Sequence, residues 1–478
     1  MMMAGKKNDK KAHEKFLWKR ENGYHGLTQS EQKKITAYCR DYLEFLGVSK
    51  TEREAHDRAR QMALDAGFRD MDDVAAEAGA LKPGDKVFRS CRGKTLLLAH
   101  IGVEPLEQGM GIVGGHIDAP RLDNKPSPLY EDDEMVWLDT HYYGGVRNYH
   151  WVAMPLAIHG VFMKEDGSKI TVSIGEKETD PVFVISDLLP HLAKDQAKKT
   201  LAEGISGEGL NVLLGSQPIA DKDVKQGVKA NILTLLNQEY GIVEEDFVSA
   251  ELEIVPAGKP RDVGFDRSLM LGYGHDDRIC SYAGLKALLD MKKTPAKTAV
   301  VLLCDKEEIG SVGATGMQST FFENTVAELL ARTAGYSGIA LRRSLERSRM
   351  LSADVCAAHD PNYGDVSSPN GNMPKINHGV SLTKYTGSRG KSGASDASAE
   401  FMAEIRRLFT GAGVVWQVGE LGKVDQGGGG TIAIFLAKYG MDVLDCGVPL
   451  LSMHAPWEVA AKLDTYMMYK GYKAFLSR

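Results

Sequence analysis

From residue 265 onward the chain alternates apolar runs of strand length with segments of helical spacing. The spacing predicts helices over 275–292, 320–332, 394–411, 430–439 and 464–476, and strands over 298–304, 350–357, 414–418 and 443–446. Alternation of this kind implies a mainly parallel sheet covered by helices, an α/β architecture. In such sheets ligands bind outside the carboxyl ends of the strands. Polar residues that follow those strands are therefore the first place to look for chemistry.

Upstream the texture differs. Residues 1–15 are polar and read as a mobile tail or a frayed helix start. Helices are predicted from about 28, with Ile35, Tyr38, Tyr42, Leu43 and Phe45 on one face, and over 51–66. A turn at Pro83-Gly84-Asp85 precedes short strands at 87–88, 94–101 and 110–113. Residues 119–130 read as loop, with Pro120, Pro126 and Pro128. Then 136–143, 159–164 and 169–174 alternate or are β-branched, with turns at Gly144-Gly145 and Glu165-Asp166-Gly167, which is antiparallel texture. A helix is expected within 222–240, a helix or loop at 185–192, and a returning strand at 251–255. The organisation that follows is a domain of two parts, 1–118 and 263–478, interrupted by an inserted β-rich domain at 119–262.

Composition narrows the function. The chain has 478 residues, 43% hydrophobic and 26% charged, enough for two or three domains with ordinary cores. A net charge of −6 gives no reason to expect nucleic acid or an anionic membrane as partner. No apolar run reaches the length of about 18 residues that a membrane span needs. The first residues lack the apolar centre of a signal peptide, and the six cysteines form no Cys-x-x-Cys pair. A cytoplasmic location is expected from these features.

The run 110–113 ends in Gly114-Gly115-His116-Ile117-Asp118. The glycines are expected to let the backbone turn sharply, so that His116 and Asp118 project into a crevice. A neutral imidazole is a common zinc ligand, and a carboxylate two residues on can accept its other ring N–H. A lone His-x-Asp is more often a surface turn, so the partners decide. They come at strand ends and one helix start: Asp305-Lys306-Glu307-Glu308 after 298–304, Asp354 in the strand 350–357, His454 after 443–446, and Asp276-Asp277 opening a helix. Adjacent carboxylates at the end of a buried strand repel each other unless a positive charge is near. One of the Glu307-Glu308 pair can bind metal while the other acts as general base toward a water. Two zinc ions would be balanced by Asp276, Glu308, Asp354 and one hydroxide, with His116 and His454 adding neutral nitrogens. Gly390-Lys391-Ser392 lacks the upstream glycine of a phosphate loop, and Gly335-Tyr336-Ser337-Gly338 has the wrong spacing for a nucleophile elbow.

Gly115-His116-Ile117-Asp118-Ala119-Pro120, Tyr143-Gly144-Gly145, Asp305-Lys306-Glu307-Glu308-Ile309-Gly310-Ser311, Ser352-Ala353-Asp354 and Pro449-Leu450-Leu451-Ser452-Met453-His454 together resemble the M18 family of metalloaminopeptidases. The resemblance covers residues 25–476 in the same order. It implies a two-zinc exopeptidase domain with a smaller β-rich insertion, peptide substrates, and a tetrahedral homododecamer with inward-facing sites. By the same resemblance His116, Asp276, Glu308, Asp354 and His454 are the metal ligands, with Asp276 bridging and joined to Asp277 by a cis peptide bond. Asp118 orients His116, and Glu307 is the general base. His191 is implied to reach a neighbouring subunit's site and steady the developing oxyanion. Cobalt or manganese can replace zinc in such a site. The chain departs from the family pattern at Val152-Ala153-Met154-Pro155, at Thr383-Lys384 and at Gly427-Gly428-Gly429-Gly430-Thr431, which leaves two readings of specificity open: the implied preference for acidic N-terminal residues, or a broader one. Two other readings remain at this stage: a two-metal carboxypeptidase or deacylase, and a non-catalytic, metal-stabilised oligomeric scaffold.

Overall fold

The strand Ala299–Cys304 is the axis of the architecture. All six of its residues are buried, which an unbroken apolar run demands. It pairs antiparallel with Thr95–His100 on one side and parallel with Gly111–His116 on the other. The structure, a computed structural model, describes residues 13–478; most of the expected polar tail at 1–15 lies outside the described residues.

Nine strands form the main sheet. Their order is Arg69–Asp70, Lys86–Cys91, Thr95–His100, Ala299–Cys304, Gly111–His116, Arg349–Ser352, Asp442–Gly447, Val380–Thr383 and Trp416–Val418. The four strands from Ala299–Cys304 to Asp442–Gly447 run parallel, as the strand–helix alternation requires. The flanks are mixed. Lys86–Cys91 and Thr95–His100 form a hairpin whose turn places both Arg92 and Gly93 at positive φ, and such a turn can join only antiparallel strands. Register aligns Cys304 with His116, and Ser352 with Gly114. Residues that follow these strands therefore emerge at one edge.

The glycine pair behaves differently from the sequence expectation. The strand does not turn at Gly114-Gly115 but runs through both to His116. The reason is crowding. A Cβ on Gly115 would lie 2.6 Å from Asp277 Oδ2, 2.8 Å from Ser281 Oγ and 3.0 Å from the Ala353 carbonyl. Glycine here lets the helix His275–Leu289 press against the strand. That helix is buried along most of its length, and Gly284 sits close under Val113.

A six-stranded antiparallel sheet is built from strands between residues 121 and 256, with its own apolar core around Leu122, Trp151, Leu156 and Ile254. The expected loop at 119–130 is a strand, Arg121–Asp132. Its pairing with Met135–Tyr143 shifts register between Asn124 and Leu129, and that irregular stretch absorbs Pro126 and Pro128, which cannot donate to a ladder. The expected strand at 350–357 is also split. Arg349–Ser352 belongs to the main sheet, Cys356–Ala357 to a five-stranded sheet, and Asp354 sits in the break between them. A helix at Gly338–Glu346 and a strand at Val380–Thr383 had no clear sequence signal. Two further cores fill the two faces of the main sheet. No helix among the described residues is long and apolar enough to cross a membrane.

Gly115→Ala is expected to destabilise the protein by about 1–3 kcal/mol, the usual cost of overpacking a filled core. Urea unfolding at fixed metal concentration checks this, and an unchanged midpoint contradicts it.

Candidate metal centre

His116 ends its strand with the imidazole buried. Its Nε2 lies 3.2 Å from Asp276 Oδ1. The other oxygen of the same carboxylate, Asp276 Oδ2, lies 3.1 Å from His454 Nε2. One carboxylate thus spans two imidazoles that are 338 positions apart in the chain. Asp276 and Asp277 open the helix His275–Leu289, where neither has helical backbone angles and the peptide bond between them is cis. Glu308 Oε1 lies 3.6 Å from His454 Nε2, and Glu307 Oε2 lies 3.9 Å from His116 Nε2. Both glutamates come from a short 3₁₀ turn, Glu307–Ile309, that follows Ala299–Cys304.

Asp118 ties these parts together. It is fully buried. Its Oδ1 lies 3.3 Å from His116 Nδ1 and accepts the Glu307 backbone N–H at 3.2 Å. Its Oδ2 accepts the Glu308 N–H at 3.2 Å and the Tyr143 hydroxyl at 2.8 Å. Four groups from three separate stretches converge on one carboxylate. A second buried carboxylate, Glu458, plays a similar part on the other side. Its oxygens accept the backbone N–H of Asp276 at 3.0 Å and of His454 at 2.8 Å. The latter bond holds His454 in the left-handed region, at φ +63. A non-glycine residue stays there only where its surroundings fix it.

Electrostatics explain why this cluster calls for cations. Burial, then repulsion from Asp276, pushes the Glu308 carboxyl well above its usual range. Burial, then Glu307 and Asp277, does the same to Asp354, and burial raises Asp277. Glu307 is pushed up to about 7 by burial, which together with the charges of Asp118 and Asp276 outweighs the attraction of His116 and His454. Burial also opposes charge on Asp276, but hydrogen bonds from His116 and His454 outweigh it and hold that carboxyl below its ordinary range. Burial opposes charge on His116 too, yet Asp118 and Asp276 lift it well above normal. Burial opposes charge on His454 as well, but its bond to Asp276 and the charges of Asp276, Glu308 and Glu458 together lift it to about 10. A positive ion among these carboxylates would relieve the repulsion that raises them. Glu308 Oε1 and both Asp277 carboxylate oxygens are buried without a hydrogen-bond partner. Two donor groups have ligand atoms within 4.8 Å of one another: His116, Asp276 and Glu308, and His116, Asp277 and Asp354. The donors are imidazoles and carboxylates with no thiolate, a set that fits zinc and also cobalt or manganese. Because Asp118 occupies His116 Nδ1, only Nε2 is left, and it can serve one ion.

The structure brings His116, Asp118, Asp276, Glu307, Glu308, Asp354 and His454 to one place. All but Asp118 line a single cavity of about 560 Å³, which Gly428, Gly429 and Gly430 also border. His191 is not brought there. It lies on an exposed stretch after Pro190, away from this cavity. Sequence reasoning missed three contributors. Asp277 was seen only as the neighbour of Asp276. Tyr143 was seen as part of a motif, and its hydroxyl partner is 25 residues away. Glu458 carries no local signal beyond standing four residues after His454.

The sequence profile described as "Aminopeptidase I zinc metalloprotease (M18)" matches residues 45–476. A protein of Clostridium acetobutylicum named a probable M18 family aminopeptidase 1 is 52% identical over 457 residues, which is 96% of this chain and 98% of that one. The crystal structure of an M18 family aminopeptidase from Thermotoga maritima superposes with a TM-score of 0.91 at 44% identity, covering 96% of this chain and all of that one. The S. cerevisiae mApe1 dodecamer shares the fold, with a TM-score of 0.72 at 22% identity over 91% of this chain and 95% of that one.

The raised Glu307 carboxyl gives the metal-free protein a definite pH dependence. A folded pKa of about 7, above the ordinary value of 4.5, means stability that is full below the lower value and lost as pH rises through the higher. Thermal unfolding in chelator should therefore move to lower temperature between those values, and added zinc should reverse the loss. A chelated protein whose midpoint does not fall over that window contradicts the carboxylate repulsion described above.

Proposed function

The chain belongs to the M18 aminopeptidase family and is a metalloaminopeptidase, and from that premise we propose that it holds two zinc ions, one on each side of Asp276. His116 and Asp354 would complete one set, and Glu308 and His454 the other. The observation that carries this reading is the Asp276 carboxylate itself, with one oxygen facing each imidazole at 3.2 and 3.1 Å. Cobalt or manganese would suit the same donors. When bound, the ions polarise the scissile carbonyl and make the attacking water more acidic.

The chain's own residues would do the rest. Glu307 accepts a proton from the attacking water as the water oxygen bonds to the carbonyl carbon. The C–N bond then breaks, and Glu307 returns the proton to the leaving amine. A carboxyl pushed up to about 7 by burial is suited to both halves of that exchange. Asp118 fixes the His116 ring and, through two backbone bonds, the turn that carries Glu307. Peptides with a free N-terminus would enter the cavity. Among the described residues no lysine or arginine lines it, while Glu420 does, and Lys384 is paired with Asp396 at 3.2 Å. The subsite therefore favours neutral or basic N-terminal side chains over acidic ones.

We place residues 119–262 as an inserted, oligomer-forming unit in a tetrahedral homododecamer. Exposed Val182, Leu188, Leu189 and Leu192 support an interface there, as does the shared fold with the mApe1 dodecamer. His191, between those leucines, would then reach a neighbour's site and donate to the developing oxyanion. Cytoplasmic residence fits six cysteines that are all free.

Glu307→Ala should lower turnover by at least about a hundredfold, the size of a lost general base, while bound zinc stays at two per chain. Turnover near the wild-type rate removes Glu307 from the mechanism. Acetylating the N-terminus of a peptide substrate should stop its hydrolysis; continued cleavage points to a deacylase instead.

A further inference from the structure

The turn Tyr143-Gly144-Gly145 closes the strand Met135–Tyr143 of the six-stranded sheet, yet it touches one imidazole of the metal centre directly and the residue that holds the other. The Tyr143 hydroxyl donates to Asp118 Oδ2 at 2.8 Å, and Asp118 meets His116 Nδ1 with its main-chain carbonyl at 3.0 Å and its Oδ1 at 3.3 Å. Two residues on, the Gly145 carbonyl accepts from His454 Nδ1 at 3.0 Å. We propose that this turn is a positioning clamp that fixes the tautomer and aim of both histidines, so that the β-rich sheet helps set metal affinity. The proposal rests on the two-ion reading above.

The geometry is specific to that task. With each Nδ1 engaged, each ring presents only Nε2 as a free lone pair, and both Nε2 atoms face Asp276. The approach needs two residues without side chains. Gly144 has φ +72, and a Cβ there would stand 3.2 Å from Glu308 Cβ. A Cβ on Gly145 would stand 3.0 Å from His454 Nδ1. The tyrosine ring is itself held. The Arg121 guanidinium lies 3.8 Å over it, which is cation–π range. Arg121 is in turn fixed by Asp123 at 2.8 Å, Glu253 at 3.2 Å and Glu52 at 3.3 Å. Burial beside the Asp118 charge raises the pKa of the Tyr143 hydroxyl and keeps it a donor. A ring that merely filled space would need neither the aimed hydroxyl nor the paired glycines.

Tyr143→Phe keeps the ring and its stacking and removes only the donor. Zinc affinity, read by chelator competition, should fall about 10–100-fold, the usual cost of losing a partner behind a metal ligand. The turnover number should fall while KM holds. Gly145→Ala, which pushes on His454, should weaken one of the two zinc sites. Tyr142→Phe, the same change one residue earlier on an exposed side chain, should alter neither quantity. Wild-type zinc affinity in both Tyr143→Phe and Gly145→Ala overturns the clamp and leaves the two-ion reading standing. Lower thermal stability with unchanged affinity in Tyr143→Phe marks a packing role and likewise overturns it. A wild-type chain that binds no zinc refutes the two-ion reading itself.

Discussion

Acidic side chains crowded out of water repel one another, and that repulsion is the constraint on which this structure depends. Asp276, Glu307, Glu308 and Asp354 line one pocket, and Asp277 is buried beside Asp354. Left alone they keep protons well above the usual carboxylate range, apart from Asp276, which two imidazoles hold ionised. Such an arrangement is costly unless positive charge offsets it. The fold makes that compensation possible by bringing together three strand ends, one helix start and one strained loop. Parallel pairing at the centre of the nine-stranded sheet is what aligns those ends.

Rigidity is the second requirement. Ligand side chains must be held before the ions arrive, or binding must supply the ordering. Asp118 and Glu458 meet this need by different routes. Asp118 gathers a ring, a turn and a hydroxyl, while Glu458 grips two backbone N–H groups. Neither faces the space between His116 and His454. Both are buried carboxylates whose lone pairs are filled by donors, and such groups fix a single geometry. The six-stranded sheet joins this scheme through Tyr143 and Gly145, so the β-rich segment is coupled to the reaction centre as well as attached to it.

Local signals in the sequence carried much of this. The apolar run 299–304 announces a buried strand, and the helices expected from about 28 and over 51–66 start at capping boxes formed by Thr28 with Glu31 and Thr51 with Glu54. His116, Glu307, Glu308 and His454 are legible because they follow such strands. What was misread depends on neighbours distant in the chain. Gly114-Gly115 looks like a turn, but its glycines answer to Asp277, Ser281 and Met350 packed against them. The prolines at 126 and 128 hide a strand because a register shift accommodates them. Asp354 falls within the single strand expected over 350–357, and the strand in fact breaks around it. Tyr143 and Glu458 act through contacts that no spacing rule encodes.

The most direct test is anomalous diffraction at the zinc edge from crystals of the zinc-loaded protein. Two peaks about 3.5–4 Å apart are predicted, one beside His116 and one beside His454, with the Asp276 carboxylate between them. A single peak, or two peaks that Asp276 does not join, would contradict the two-ion centre.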